Sequence, residues 1–190
     1  FNGDSSFAGS VDNVSVKLAV PDRSYKRRGL QVVGTLPRAV VNTGNDLVAF
    51  SGWSTSNYLE QPYNPDLDFG TGDFSVAWWM NIPSGDGTST KSIFDRSQNA
   101  TGQRIYAYTG TSSNVLTVLI ADGTTNRFLA STTVVKSSAW THCVVVSRGA
   151  TVELWVNGVM EASGARPALT LNNTSAILAV GLSSALSNPS

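Results

Sequence analysis

Apolar and polar residues alternate with a period of two along much of this chain. Val11–Leu18 places Val14, Val16 and Leu18 on one face and Asn13, Ser15 and Lys17 on the other, the pattern of a half-buried strand. From Asp46 onward, short strand candidates follow one another at intervals of about 8–12 residues, the spacing of a sandwich or barrel. They are Leu47–Phe50, Asn57–Gln61, Phe74–Asn81, Ser92–Asp95, Arg104–Thr109, Val115–Ala121, Arg127–Val134, Thr141–Ser147, Thr151–Val156, Val159–Ala162 and Ile177–Gly181. Apolar positions keep helical spacing over no long window, and Gly and Pro interrupt most long stretches, so no long helix is expected.

Two segments are apolar on both faces, Val76-Ala77-Trp78-Trp79-Met80 and Cys143-Val144-Val145-Val146. Each is therefore expected to be central in its sheet, with the opposing sheet on one side and loops or another module on the other. Thr151–Val156 instead alternates, with Val152, Leu154 and Val156 inward, and runs into Asn157-Gly158. Both turn residues tolerate positive φ, so Val159-Met160-Glu161 is expected to return antiparallel.

Composition supports a β-rich chain. In 190 residues there are 25 Ser and 18 Thr, while charged residues make up only 14%. Small hydroxyl residues and Gly favour strands and turns over helix interiors. Thirteen basic and thirteen acidic side chains give a formal net charge of zero, which removes any global electrostatic case for nucleic acid or an anionic membrane as partner. One cysteine cannot close an intrachain disulfide. The neutrality hides one basic run, Pro21-Asp22-Arg23-Ser24-Tyr25-Lys26-Arg27-Arg28-Gly29, which reads as a solvated surface connector, while the later part of the chain carries the excess acid.

Five motifs in order resemble the laminin G-like, concanavalin A-like lectin/glucanase superfamily: Phe50-Ser51-Gly52, Asn57-Tyr58-Leu59-Glu60, Leu67-Asp68-Phe69-Gly70-Thr71-Gly72-Asp73-Phe74-Ser75-Val76-Ala77-Trp78-Trp79, Trp140-Thr141-His142-Cys143-Val144-Val145-Val146 and Leu154-Trp155-Val156-Asn157-Gly158. The resemblance implies an all-β, antiparallel jelly-roll sandwich, here a fragment of a longer multi-module chain. Family members usually close with a strand of the type found near the start of this chain, Phe7-Ala8-Gly9-Ser10-Val11-Asp12-Asn13-Val14-Ser15-Val16. Residues 1–20 are thus expected to be the closing strand of a preceding module or a permuted strand, 21–45 a basic linker and 46–190 the sandwich. The stretches Pro21–Ser24, Gly29–Thr35 and Asn57–Asn64 are also similar to segments of tail-associated proteins of tailed bacteriophages.

Enzymatic chemistry finds little footing. Glycoside hydrolases on this sandwich place paired carboxylates on alternate residues of one strand. The three glutamates, Glu60, Glu153 and Glu161, each lack a carboxylate two or four residues away. His142 and Cys143 are adjacent in one strand, so they point to opposite faces and cannot form a dyad. The segment Asn64–Asp73 has oxygen ligands spaced like a cation loop, but Ala77 stands where an EF-hand requires Glu, and a turn into the next strand is expected. The resemblance implies calcium at a rim built from Asp95 and Asp122 or Asn126. Sugar binding combines stacking aromatics with polar groups that match hydroxyls. Trp53, Tyr58 and Tyr63 lie in or beside early loops, and Tyr106 and Tyr108 share one strand face. Trp78, Trp79 and Trp155 are expected in the core or in an inter-module contact.

The expected function is a non-enzymatic virion tail or fibre module that adheres to a host-surface glycan. The alternatives are a structural virion decoration or assembly module, and a calcium-binding extracellular bacterial laminin G-like domain. Expected partners are other virion proteins, a host glycan or further copies of the chain, without nucleic acid or membrane.

Overall fold

Strict alternation in one strand sets the architecture. In Trp140–Arg148, Thr141, Cys143, Val145 and Ser147 are buried, while His142, Val144 and Val146 face the other way and are half-buried. The same two-sided pattern recurs from strand to strand, so two sheets press their buried faces together. The computed structural model describes residues 29–41, 48–85, 89–97, 102–110, 114–167 and 175–182. The strand expected at Val11–Leu18 and the basic run Arg23–Arg28 lie outside the described residues.

The strands are β1 (Gln31–Val33), β2 (Arg38–Val40), β3 (Val48–Phe50), β4 (Tyr58–Gln61), β5 (Phe74–Asn81), β6 (Lys91–Ser97), β7 (Gln103–Thr109), β8 (Val115–Asp122), β9 (Asn126–Val134), β10 (Trp140–Arg148), β11 (Thr151–Val156), β12 (Val159–Ala165) and β13 (Ile177–Val180). A 3-10 turn, Pro65–Leu67, is the sole helical element among the described residues. The larger sheet runs β1-β4-β13-β6-β7-β8-β9, the smaller β12-β11-β10-β5, and β2 and β3 form a separate ribbon. All pairings are antiparallel. The fold is the expected all-β sandwich.

The core lies between the sheets. Val145, Val152, Leu154 and Val156 from the smaller sheet meet Phe94, Ile105, Val118, Ile120 and Leu129 from the larger. Trp78 packs edge-on against Phe94, with ring centroids 5.1 Å apart at 82°. At the rim between β12 and β9, the Glu161 carboxylate clasps the sheets together: Oε2 accepts the backbone N–H groups of Thr132 at 2.8 Å and Thr133 at 3.0 Å, and Oε1 accepts the Thr133 hydroxyl. The β11–β12 hairpin turns at Asn157-Gly158 with φ of 50° and 81°, as a type I′ turn requires.

Two expectations need correction. Residues 31–33 and 38–40, inside the stretch read as linker, are strands β1 and β2, and β1 pairs with β4 as the outermost strand of the larger sheet. Strands of three residues are too short to show a period. The second concerns β5, which is apolar on both faces yet not central: among the described residues it pairs with β10 alone. Its outward residue Trp79 is 64% exposed, and no described segment covers it.

Removing core volume is expected to be costly. Leu154→Ala should lose about 2–5 kcal/mol in denaturant unfolding, while a cost below about 1 kcal/mol would mean that the site collapses around the cavity. The clasp carries a pH signature. Burial pushes the Glu161 carboxyl up, but its bonds from Thr133 and Thr132 outweigh this and hold it below the usual range. A depressed folded pKa gives stability that is present above the ordinary glutamate pKa and lost as pH falls through the folded value. Stability measured from pH 6 downward should therefore fall less steeply for Glu161→Ala than for the parent chain.

Candidate functional site

In β7, Ile105, Ala107 and Thr109 are buried toward the core, so Arg104, Tyr106 and Tyr108 line up on the outer face of the larger sheet. The two tyrosine rings stack at 4.6 Å and 17°, and the Arg104 guanidinium lies 4.0 Å from the Tyr106 ring centroid. Asp95 stands opposite Tyr106 in the register and accepts both Arg104 Nε at 2.9 Å and Nη2 at 2.6 Å. The Tyr106 hydroxyl shares a 2.9 Å hydrogen bond with Ser92. Burial pushes the Tyr106 hydroxyl up, against the opposing pull of Ser92 and Arg104, and it pushes Tyr108 up as well. Both phenols are thus protonated at neutral pH and able to donate.

Register extends this face sideways. Ala179 pairs with Asp95 on one side and Glu60 on the other, so Glu60 joins the same outer row. Tyr58, two residues from Glu60, is on the same face, and burial followed by the Glu60 charge pushes its hydroxyl up. Trp53 arrives over Gly181: a Cβ on that glycine would sit 2.0 Å from the indole, and its φ of +83° also excludes a side chain. Four of the five aromatics expected to meet a ligand, Trp53, Tyr58, Tyr106 and Tyr108, are therefore borne on one sheet face.

Tyr63 stands apart. Its hydroxyl donates to Asp68 at 2.7 Å, beside an open hollow of about 460 Å³ lined by Gln31, Gln61, Tyr63 and Asn64. Asp68 also pairs with the buried Arg96, Asn64 accepts the Asp66 N–H at 3.1 Å, and Asp73 accepts the Gly149 N–H at 2.8 Å. The acid-rich segment 64–73 is thus a turn whose oxygens are taken up in holding the loop.

The calcium residues are not brought together. Both oxygens of Asp95 are engaged by Arg104. Asp122 caps its own hairpin, with Oδ1 accepting Thr124 N at 2.8 Å, Thr124 Oγ1 at 2.7 Å and Thr125 N at 2.6 Å, and these bonds lower its pKa. Asp95 aligns with Tyr106 and Asp122 with Gln103, two strands apart, which separates the backbones by about 14 Å. By alternation from the core residue Ile120, Asp122 is directed to the opposite sheet face from Asp95. Asn126 sits at the exposed start of β9 opposite Ala121. This donor set does not fit a shared hard cation, which needs six or more oxygens within about 2.6 Å. Among the described residues, His, Cys, Asp and Glu form no metal-sized group.

His142 and Cys143 lie on opposite faces, as alternation requires. Burial, with the Glu161 charge adding to it, pushes the Cys143 thiol up to about 12, so it is no nucleophile. Arg104 is a site residue that sequence reasoning does not single out. Its position two residues before Tyr106, on the same strand face, was the signal for its place in the site.

A two-sheet antiparallel sandwich with an aromatic, hydrogen-bonding sheet face defines a lectin-like β-sandwich. The chain belongs to the concanavalin A-like lectin/glucanases superfamily, whose laminin G-type family model matches residues 54–189. A search of curated proteins finds no match. Among solved structures, domain 4 of AbnA, an extracellular arabinanase from Geobacillus stearothermophilus solved in complex with arabinotriose, is 17% identical with a TM-score of 0.56, over 79% of this chain and 68% of that one. The binding domain of botulinum neurotoxin DC, solved in complex with SialylT, is 13% identical with a TM-score of 0.58, over 81% and 39%. Mouse laminin alpha1 domains LG4-5 are 11% identical with a TM-score of 0.53, over 74% and 38%. The chain thus spans about two fifths of the neurotoxin and laminin chains.

The Asp95–Arg104 pair should be the most sensitive point of the site. Asp95→Asn strips the buried Arg104 of its counter-charge and is expected to cost about 3–5 kcal/mol in unfolding, whereas a near-neutral result would mean that Arg104 escapes to solvent. Millimolar calcium should leave the melting temperature unchanged, since ligand binding to the folded state alone would raise it.

Proposed function

We propose that this sandwich is a non-enzymatic glycan-binding module, and that it serves a virion tail or fibre in attachment to a host-surface polysaccharide. The observation that carries the reading is the stacked Tyr106–Tyr108 pair with Arg104, Asp95 and Ser92 packed around it. An aromatic face suits the C–H side of a sugar ring, and the half-buried Tyr108 hydroxyl and Glu60 on the same face suit the ring hydroxyls, while the buried Arg104–Asp95 pair holds the rings in place. The arabinotriose and SialylT complexes of the similar folds favour the same ligand class. The phage-like segments and the Ser- and Thr-rich composition favour the virion setting.

The disposition of the carboxylates supports binding over hydrolysis. Glu60 and Asp95 share the face two strands apart, a backbone separation of about 9.6 Å. That comes near the spacing at which inverting glycosidases work, but both Asp95 oxygens are bonded to Arg104 and neither is open to a water or a glycosidic oxygen. Glu153 is bonded to the Trp155 indole on the other sheet, and Glu161 is held in the clasp.

Calorimetry against neutral pentose and hexose oligosaccharides and sialylated ones tests the proposal. Tyr106→Ala and Tyr108→Ala should each weaken binding at least about tenfold, or 1.4 kcal/mol. Failure to bind any glycan, including polysaccharides of candidate bacterial hosts, overturns the reading.

A further inference from the structure

The outer face of the smaller sheet is apolar and uncovered among the described residues. Trp79 is 64% exposed, Trp140 42% and Met160 48%. Trp79 pairs with His142 across β5 and β10, with ring centroids 4.8 Å apart, and the Trp155 indole N–H donates to Glu153 at 3.0 Å. Around them lie Ala77, Val144 and Val146. Contiguous apolar surface of this kind marks an interaction site. A sugar is poorly served here, because the centre of the face offers aliphatic groups where hydroxyls need donors and acceptors.

We propose that this face packs against the same face of a second copy of the chain, in a two-fold dimer of sandwiches. Register fixes how the two faces meet. Val144 pairs with Ala77 on one side and Trp155 on the other, and Trp155 pairs with Met160, so these four residues form a row that crosses all four strands. Turning a second copy over about that row lays the row upon itself. Residues equally far to either side then face each other. Trp79, two residues from Ala77 in one direction, meets Ser75 of the second copy, two residues away in the other. By the same operation His142 meets Val146, and Trp140 meets Arg148. Large side chains thus stand opposite small ones at Trp79 and Ser75, and an indole stands opposite a guanidinium, a favourable cation–π partner.

Charge and area agree with self-association. The charged residues on this face are Arg148 and Glu153, of opposite sign, so two copies do not repel. Four strands about 4.8 Å apart and six to nine residues long at about 3.4 Å per residue give a footprint of about 500 Å² per copy. The two footprints together reach the roughly 1,000 Å² at which specific interfaces begin. A twisted sheet packs on another in this aligned manner at about 10 Å.

Sedimentation equilibrium of the full chain at 1–100 µM tests the proposal. The expected result is a reversible dimer, twice the 20.1 kDa chain mass. Val144→Glu places two like charges on the axis and should raise the dissociation constant at least a hundredfold. Trp79→Ser, at a residue 64% exposed, should raise it at least tenfold with an unchanged circular dichroism spectrum. Val134→Glu, on the exposed end of β9 in the other sheet, should leave it unchanged. A chain that is monomeric at 100 µM overturns the proposal, whether the face is then open or covered by residues 1–28. So does a trimer, or a dimer that survives both Val144→Glu and Trp79→Ser.

Discussion

Burial of one face of β10 and β11 against the inward face of the larger sheet is the interaction on which the rest of the molecule depends. Val145, Val152, Leu154 and Val156 lose essentially all solvent contact there, as do Val118, Ile120 and Ala107 opposite them. Each of the valine, leucine and isoleucine side chains contributes about 1.5–3 kcal/mol by leaving water. Because a strand has a period of two, fixing which residues face inward also fixes which face outward. A slip of one residue in β7 would bury Tyr106 and Tyr108 and expose Ile105 and Ala107, so hydrophobic burial enforces the register that displays the aromatic ladder. The site on the outer surface is held in place by forces acting on the inner one.

Polar groups in the protected regions add definition to this non-directional burial. Arg104 with Asp95, and Arg96 with Asp68, are ion pairs whose members are at most 12% exposed. Such pairs gain little net stability, since desolvation offsets the attraction, but breaking one leaves an uncompensated charge. Asp95 is thereby committed to orienting Arg104, which lies over Tyr106. Asp68 connects the Tyr63 loop to β6 in the same way.

How much of this was legible in the sequence depended on length and period. The eight- and nine-residue strands around Trp78, Val118, Leu129 and Val145 announced themselves through alternation or continuous apolar runs, and Asn157-Gly158 marked its hairpin. Strands β1 and β2 left no such trace. Trp78 and Trp79 illustrate a second limit: adjacent residues in one strand must part company, one onto Phe94 in the core and the other to the surface, but composition does not say whether the outer one is covered. In the site, the shared face of Tyr106 and Tyr108 followed from their spacing. The convergence of Tyr58 and Trp53 with them did not, because it depends on β13 bringing residues 179–181 between β4 and β6. The rim residues Asp95 and Asp122 show a related limit: Asp95 lies within β6 and Asp122 at the end of β8, and strand order and facing, which the sequence does not display, separate them.

The insertion of β13 has a bearing on how the chain reaches this state. β10, β11 and β12 follow one another through tight turns, so their contacts close short loops at little entropic cost. β13 instead enters between β4 and β6, where Ala179 pairs with Glu60, a partner more than a hundred residues earlier in the chain. During synthesis that slot cannot fill until Ile177–Val180 has emerged. Until then β4 and β6 each present an open edge with unpaired amides and carbonyls, and such edges recruit strands from neighbouring molecules. The nascent module is thus most prone to wrong partners at the edges that later carry the Glu60–Asp95 row, and β13 on arrival both completes that row and removes the hazard.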